Sequence, residues 1–164
     1  MLKGLGYWSG YGAPAGYINP KYLRGEYTQN EKEQIAKYLL KGNKVNFQLG
    51  YAINRINPAQ GGAFMGCAEI TDGTYIWPEG LWIYVYYYDV RLPAYFLNHI
   101  NESNALDKTT CGDLSTVNWD YSQWIGWCKK NRPNLLGVIC CSFSKDSQIL
   151  NEKEVLEVRL KLLN

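Results

Sequence analysis

Apolar and polar residues alternate along the chain with a period that changes from segment to segment, and the changes mark out the expected elements. From residue 29 to about 41, Ile35, Tyr38 and Leu39 recur at helical spacing. Thr28 stands three residues before Glu31, so its hydroxyl and the carboxylate can each take a backbone amide of the first turn. Gly42 is expected to stop this helix in a left-handed conformation. From Lys44 to Tyr51 the period drops to two, with Val45, Phe47, Leu49 and Tyr51 on one side, which predicts a half-buried strand. Residues 54–62 contain Asn-Pro and Gly-Gly and read as a loop. A second strand is predicted from Ala63 to Ile70, a turn with an Asp-Gly hairpin signal over Thr71 to Thr74, and a short third strand from Thr74 to Trp77.

Helical spacing then returns. Pro78 suits the first residue of a second helix, in which Leu81, Tyr84, Val85 and Tyr88 share a face. Tyr86 and Tyr87 diverge from that face, so at least one tyrosine, or Trp82, is expected at the surface. Pro93 opens a third helix carrying Phe96, Leu97 and Ile100. Residues 101–113 are polar and loop-like. Asn118 is placed to cap a fourth helix with Tyr121, Trp124, Ile125 and Cys128 in a stripe, closed by Pro133. Leu135 to Phe143 is apolar and β-rich. Asn151 to Leu163 starts like a helix but also partly alternates; the helix reading is preferred. Residues 1–27 are broken by glycines between Tyr7, Trp8, Tyr11 and Tyr17, and form an irregular segment expected to lie on the core through those rings. Together these elements predict one α+β domain over residues 1–164, a small, mainly antiparallel sheet with helices packed on one face.

Composition narrows the function. The chain has 164 residues, enough for one domain with a substantial core, and its 46% apolar and 20% charged residues exclude a disordered chain. Tyrosine (14) and tryptophan (6) are abundant, a composition suited to a recognition surface as well as to a core with wet edges. A net charge of +2 with no long basic run argues against a nucleic-acid partner. No segment approaches the roughly 20 apolar residues of a membrane span, and none looks like a secretion signal, so no membrane partner and a cytoplasmic location are expected. Five cysteines, Cys67, Cys111, Cys128, Cys140 and Cys141, are odd in number, and the only close pair is adjacent; free thiols are expected.

Candidate chemistry is sparse. No phosphate loop, dinucleotide fingerprint or serine elbow is present, and no cofactor is expected. His99 is the single histidine, too few for a zinc site with these cysteine spacings, and is read as a helix-end or surface residue. A nucleophile built from Cys67 or Cys111 with His99 is the remote alternative. The densest stretch runs from Gly66 to Leu81 and carries Glu69, Asp72 and Glu79. One reading is an acid/base or cation-binding cluster. The other is architecture: Asp72 bonding its own turn, Glu79 at a positive helix end, and Trp77 wedged in the core. The candidate binding set is Arg55, Glu69, Asp72, Trp77, Glu79 and Arg91, converging around Trp77.

The run TDGTYIWPEGL, followed by Tyr84-Val85, Val90-Arg91-Leu92-Pro93 and Phe96, resembles a family of small uncharacterised bacterial proteins with a Thr-Asp-Gly, Trp-Pro-Glu-Gly-Leu and Arg-Leu-Pro core. The resemblance reaches back through Tyr38-Leu39, Gly42, Gly50-Tyr51 and Arg55 to Leu5-Gly6-Tyr7-Trp8, and fades beyond residue 100. It departs from the pattern at Asn54, where a cysteine is expected, and at Tyr88, where a histidine is expected. If relatives form a Cys/His site there, this chain has lost it. The resemblance implies fold and a bacterial cytoplasmic setting rather than an activity. Two functions remain: a non-enzymatic module of the immunity or accessory type whose partner is another protein, or a small enzyme or ligand-binding protein with a carboxylate/arginine site around Trp77.

Overall fold

The computed structural model describes residues 1–9, 16–60, 62–103, 118–132 and 149–164. The strongest local signal forms as expected. Thr28 Oγ1 accepts from the Glu31 amide and Glu31 Oε2 accepts from the Thr28 amide at 2.7 Å, which starts helix α1 (Gln29–Lys41). Gly42 ends it, but not in the left-handed region: its φ is −62° and ψ 167°. Space is what requires glycine here, since a Cβ would lie 2.8 Å from the Thr71 carbonyl and 3.2 Å from the Trp77 ring. The chain can therefore pass directly from α1 into β2 (Asn43–Val45) against the sheet.

Four further strands complete the sheet: β1 (Leu2–Gly4), β3 (Glu69–Thr71), β4 (Tyr75–Pro78) and β5 (Trp119–Asp120). Their order is β2-β3-β4-β1-β5. β2/β3 and β3/β4 are antiparallel over three residue pairs each; β1 runs parallel to β4 and β5 over two pairs each. The sheet is thus mixed and mainly antiparallel, and the fold is α+β. The β3–β4 hairpin closes on Asp72-Gly73, with Gly73 at φ +90°.

The helices are α2 (Leu81–Tyr88), α3 (Ala94–Glu102), α4 (Ser122–Lys130) and α5 (Glu152–Leu163). Ile70 pairs with Trp77 across the hairpin, and α1 and α3 close over this side: the Trp77 ring packs 6.1 Å from Tyr38 and 5.8 Å from Phe96, and its indole N–H donates to the Leu39 carbonyl at 3.1 Å. α2 is buried nearly all round, with Trp82 and Tyr88 inaccessible and Tyr86 and Tyr87 half-buried, so no aromatic of this helix is fully exposed. α5 settles the ambiguous C-terminal stretch as a helix: Asn151 accepts from the Lys153 amide, and Val155 and Leu162 are buried. Leu5, Trp8, Tyr17, Ile18 and Leu23 are buried too, so the described part of the N-terminal segment lies on the core. Among the described residues no helix is long and apolar enough to cross a membrane.

Several expectations are corrected. The strand predicted from Lys44 to Tyr51 stops at Val45, and Phe47, Leu49 and Tyr51 are exposed. Asn46 breaks the period, because its left-handed backbone (φ +47°) turns the chain out of the sheet. The strand predicted from Ala63 to Ile70 begins only at Glu69; Ala63–Met65 is a single 3₁₀ turn. Pro78 ends β4, paired with Glu69, and does not open α2, which starts at Leu81. Asn118 gives its carbonyl to the Leu2 amide, and the carboxylate of Asp120 takes the Ser122 amide at 2.8 Å at the start of α4. The expectations for residues 104–113, for Pro133 and for 135–143, and for Cys111, Cys140 and Cys141, lie outside the described residues. Cys67 and Cys128 are free thiols.

Candidate functional site

The six candidate residues do not converge around Trp77. Trp77 is wholly buried between sheet and helices. Arg91 is exposed and donates to Asn131 at 2.6 Å. Asp72 holds the hairpin: Oδ1 accepts from the Thr74 and Tyr75 amides at 2.8 and 2.7 Å, as a turn aspartate does. Its Oδ2 accepts from Tyr38 of α1 at 2.7 Å and lies 2.9 Å from His99 Nε2 of α3. His99 lies in the last turn of α3, as expected, and its ring is in addition tied to the hairpin. Burial, then Asp72, pushes the Tyr38 phenol well above its usual pKa. With Nε2 committed to Asp72, His99 makes no hydrogen bond to Cys67, and the Cys–His pairing with that thiol does not form.

Arg55, Glu69 and Glu79 do come together, in a cleft of about 420 Å³ on the far side of the hairpin from Asp72's partners. Aromatic rings wall it: Tyr7 and Trp8 from the segment after β1, Tyr17, and Tyr84 of α2. Glu79 sits at the turn between β4 and α2. Its buried carboxylate meets Lys44 Nζ at 2.5 Å and Arg159 Nη2 of α5 at 2.8 Å, and accepts from the Cys67 amide at 3.3 Å. Burial alone would raise its pKa, but the two cations outweigh it and hold the carboxyl below the usual range. The neighbouring Gly66 (φ +74°) leaves the space this carboxylate fills, because a Cβ there would overlap it. Glu79 thus serves an ion-pair clasp rather than a helix end.

Glu69 is equally buried and differently supported. Oε1 accepts from the Tyr7 hydroxyl at 2.6 Å and Oε2 from the Asn46 amide at 2.7 Å. Among the described residues it has no cation partner. Burial, and then the charge of Glu69, drive the Tyr7 phenol far above its ordinary pKa, so it stays a donor. Arg55 is half-buried at the rim. Its backbone N–H donates to the Tyr84 hydroxyl at 2.8 Å, while its guanidinium has no hydrogen bond or ion pair among the described residues. Burial raises the Tyr84 pKa, partly offset by the Arg55 amide and charge, which places that charge near the cleft wall.

Asn54 and Tyr88, where a cysteine and a histidine were expected, touch each other. Asn54 Nδ2 donates to Tyr88 Oη at 2.8 Å with both residues inaccessible, and Asn54 Oδ1 takes the Ile56 and Asn57 amides. The pair fixes the 54–57 turn that presents Arg55. The sequence did not single out Lys44, Asn46, Tyr84 or Arg159 as site partners. Lys44 and Asn46 lay in the stretch predicted as a strand, Arg159 in the C-terminal helix, and Tyr7 and Tyr84 in stretches marked only by their aromatics. Among the described residues no group of three His, Cys, Asp or Glu is placed to hold a metal ion. No family model matches the chain, and no curated protein and no solved structure matches it either.

Proposed function

We propose that this chain is a protein-binding module, docking its partner on the loop of residues 46–53 at the mouth of the cleft. The observation that carries this reading is the exposure of Phe47, Leu49, Tyr51 and Ile53, each more than half accessible within one short run. Single exposed apolar residues are ordinary, but a contiguous group of them marks a contact surface. No charged residue occurs from 45 to 54, and Arg55 follows at once. A partner of matching chemistry offers an apolar ridge flanked by a carboxylate. The loop is already held in place: the Gln48 amide donates to Cys67 O at 2.7 Å, the Ala52 amide to Gly66 O at 2.8 Å, and Tyr84 anchors residue 55. A pre-ordered loop lowers the entropic cost of binding. An occluding role of the immunity or accessory type, in a bacterial cytoplasm, belongs to this proposal. The test is capture of partners by the parent and by a Phe47→Ser/Leu49→Ser variant of unchanged melting temperature. The expected result is a partner retained by the parent and lost by the variant; equal retention refutes the reading.

A second reading, a ligand-binding protein, is favoured by one observation: Glu69 and Arg55 line the same cleft without counter-ions among the described residues.

A further inference from the structure

The cleft contains two opposite charges that neither meet each other nor are met by a charged side chain among the described residues. Glu69 is buried and receives only neutral donors, the Tyr7 hydroxyl and the Asn46 amide. Arg55 shares the same 420 Å³ cleft, and the two are not in ion-pair contact. A buried carboxylate without a cation carries a desolvation cost that an incoming cation relieves. A guanidinium fork without a partner among the described residues, as on the half-buried Arg55, is suited to take a carboxylate through paired N–H donors. Glu79 does not compete for either role, since Lys44 and Arg159 already neutralise it and leave positive charge in excess beside it.

We propose that the cleft binds a free α-amino acid as its zwitterion, with the ammonium on Glu69 and the carboxylate on Arg55. This inference rests on the ligand-binding reading and is independent of docking on the 46–53 loop. A ligand with one charge satisfies one of the two groups and leaves the other bare; a zwitterion satisfies both. The walls agree with this. Tyr7, Trp8 and Tyr17 line the cleft, and aromatic side chains are common partners of ammonium groups. The volume falls in the roughly 300–1,000 Å³ range of small-molecule sites, with room for a bulky side chain. Tyr7 remains protonated at any ordinary pH and so keeps orienting Glu69.

The experiment uses the intact chain. The twenty standard L-amino acids are screened by thermal shift at about 10 mM, enough to detect dissociation constants near 1 mM. The best binder is then compared by calorimetry with its N-acetyl and α-amide forms. The expected result is that at least one amino acid binds and that capping either end weakens binding about tenfold or more, which is about 1.4 kcal/mol. Glu69→Gln should abolish the penalty for N-acetylation and Arg55→Leu the penalty for amidation. Because capping is tested on the parent chain, the result does not depend on either variant folding. No binding by any of the twenty, or capped forms that bind as tightly as free ones, overturns the proposal. Acetate and methylammonium separate the two levels of failure. If either binds in an Arg55- or Glu69-dependent way while no zwitterion binds more tightly, the cleft is a ligand site and the amino-acid assignment is wrong. If none of these probes binds, the ligand-binding reading falls with it.

Discussion

Replacing Asp72 withdraws an acceptor from four groups at once: the amides of Thr74 and Tyr75, the Tyr38 hydroxyl and the His99 ring. The side chain is only 2% exposed, so lost bonds are not simply handed to water. Hydrogen bonds to a charged group contribute about 1.5–3 kcal/mol each, and a buried donor left bare costs about 1–3 kcal/mol. Thr74 is exposed and can recover its bond from solvent. Counting the other three at the lower end, Asp72→Ala should cost about 3–5 kcal/mol. Asp72→Asn keeps an oxygen for the turn amides and puts an NH₂ opposite Tyr38, whose hydroxyl can reverse and accept; about 1–2 kcal/mol is expected. At roughly 2–4 °C per kcal/mol for a chain of this size, the alanine variant should melt about 6–20 °C below the parent, the asparagine variant about 2–8 °C below it. Calorimetry on all three at one pH measures this. If the alanine variant melts no lower than the asparagine one, or both melt at or above the parent, Asp72 is not the tie between hairpin, α1 and α3.

Trp77→Ala empties a fully buried site and strands the Leu39 carbonyl; denaturant unfolding should report a loss of about 3–5 kcal/mol with an unchanged cleft. Glu79 has a folded-state pKa below its unfolded value, so its contribution is present above about pH 4.5 and is lost as pH falls through the folded pKa. The melting temperature should therefore fall on acidification below that pH, and Arg159→Ala should reduce this pH-dependent part; an unchanged slope would count against the clasp. Burial pushes the Cys128 thiol up to about 11, so native alkylation at pH 8 should modify the half-buried Cys67 well before Cys128, as read by peptide mass spectrometry. Equal rates would contradict the burial of α4 against the core.

What could be read in advance was what one segment decides alone. Thr28 and Glu31 cap their own helix, Asp72-Gly73 closes its own hairpin, and Asn151 starts α5, each through bonds spanning a few residues. The alternation from Val45 to Tyr51 misled, because nothing local reports that Asn46 gives its amide to Glu69, 23 residues away, and takes a left-handed backbone. Pro78 looked like a helix start because its partner Glu69 in the ladder lies nine residues back. The cleft was half legible. Arg55, Glu69 and Glu79 stood out by residue type. Arg159, 80 residues beyond Glu79, and Tyr7, 62 residues before Glu69, carry no signal of their role until the chain has folded. Glu69, Asp72 and Glu79 stood together by proximity in sequence, yet the fold sends Asp72 to Tyr38 and His99, Glu79 to Lys44 and Arg159, and Glu69 to Tyr7 and Asn46.

The parallel strand β1 sits between β4 and β5, with Lys3 beside Tyr75 and Leu2 beside Trp119. During synthesis this strand is therefore made long before either neighbour. At roughly 5–20 residues per second, several seconds separate its appearance from that of Tyr75, and more pass before Trp119 emerges. Through that interval Leu2 and Leu5, both buried at the end, have no sheet to join. The β3–β4 hairpin closes locally and offers β1 its first edge; β5 then covers the remaining one. A nascent chain that stops short of Trp119 therefore carries only the four strands β2-β3-β4-β1, with β1 as the open, aggregation-prone border of the sheet.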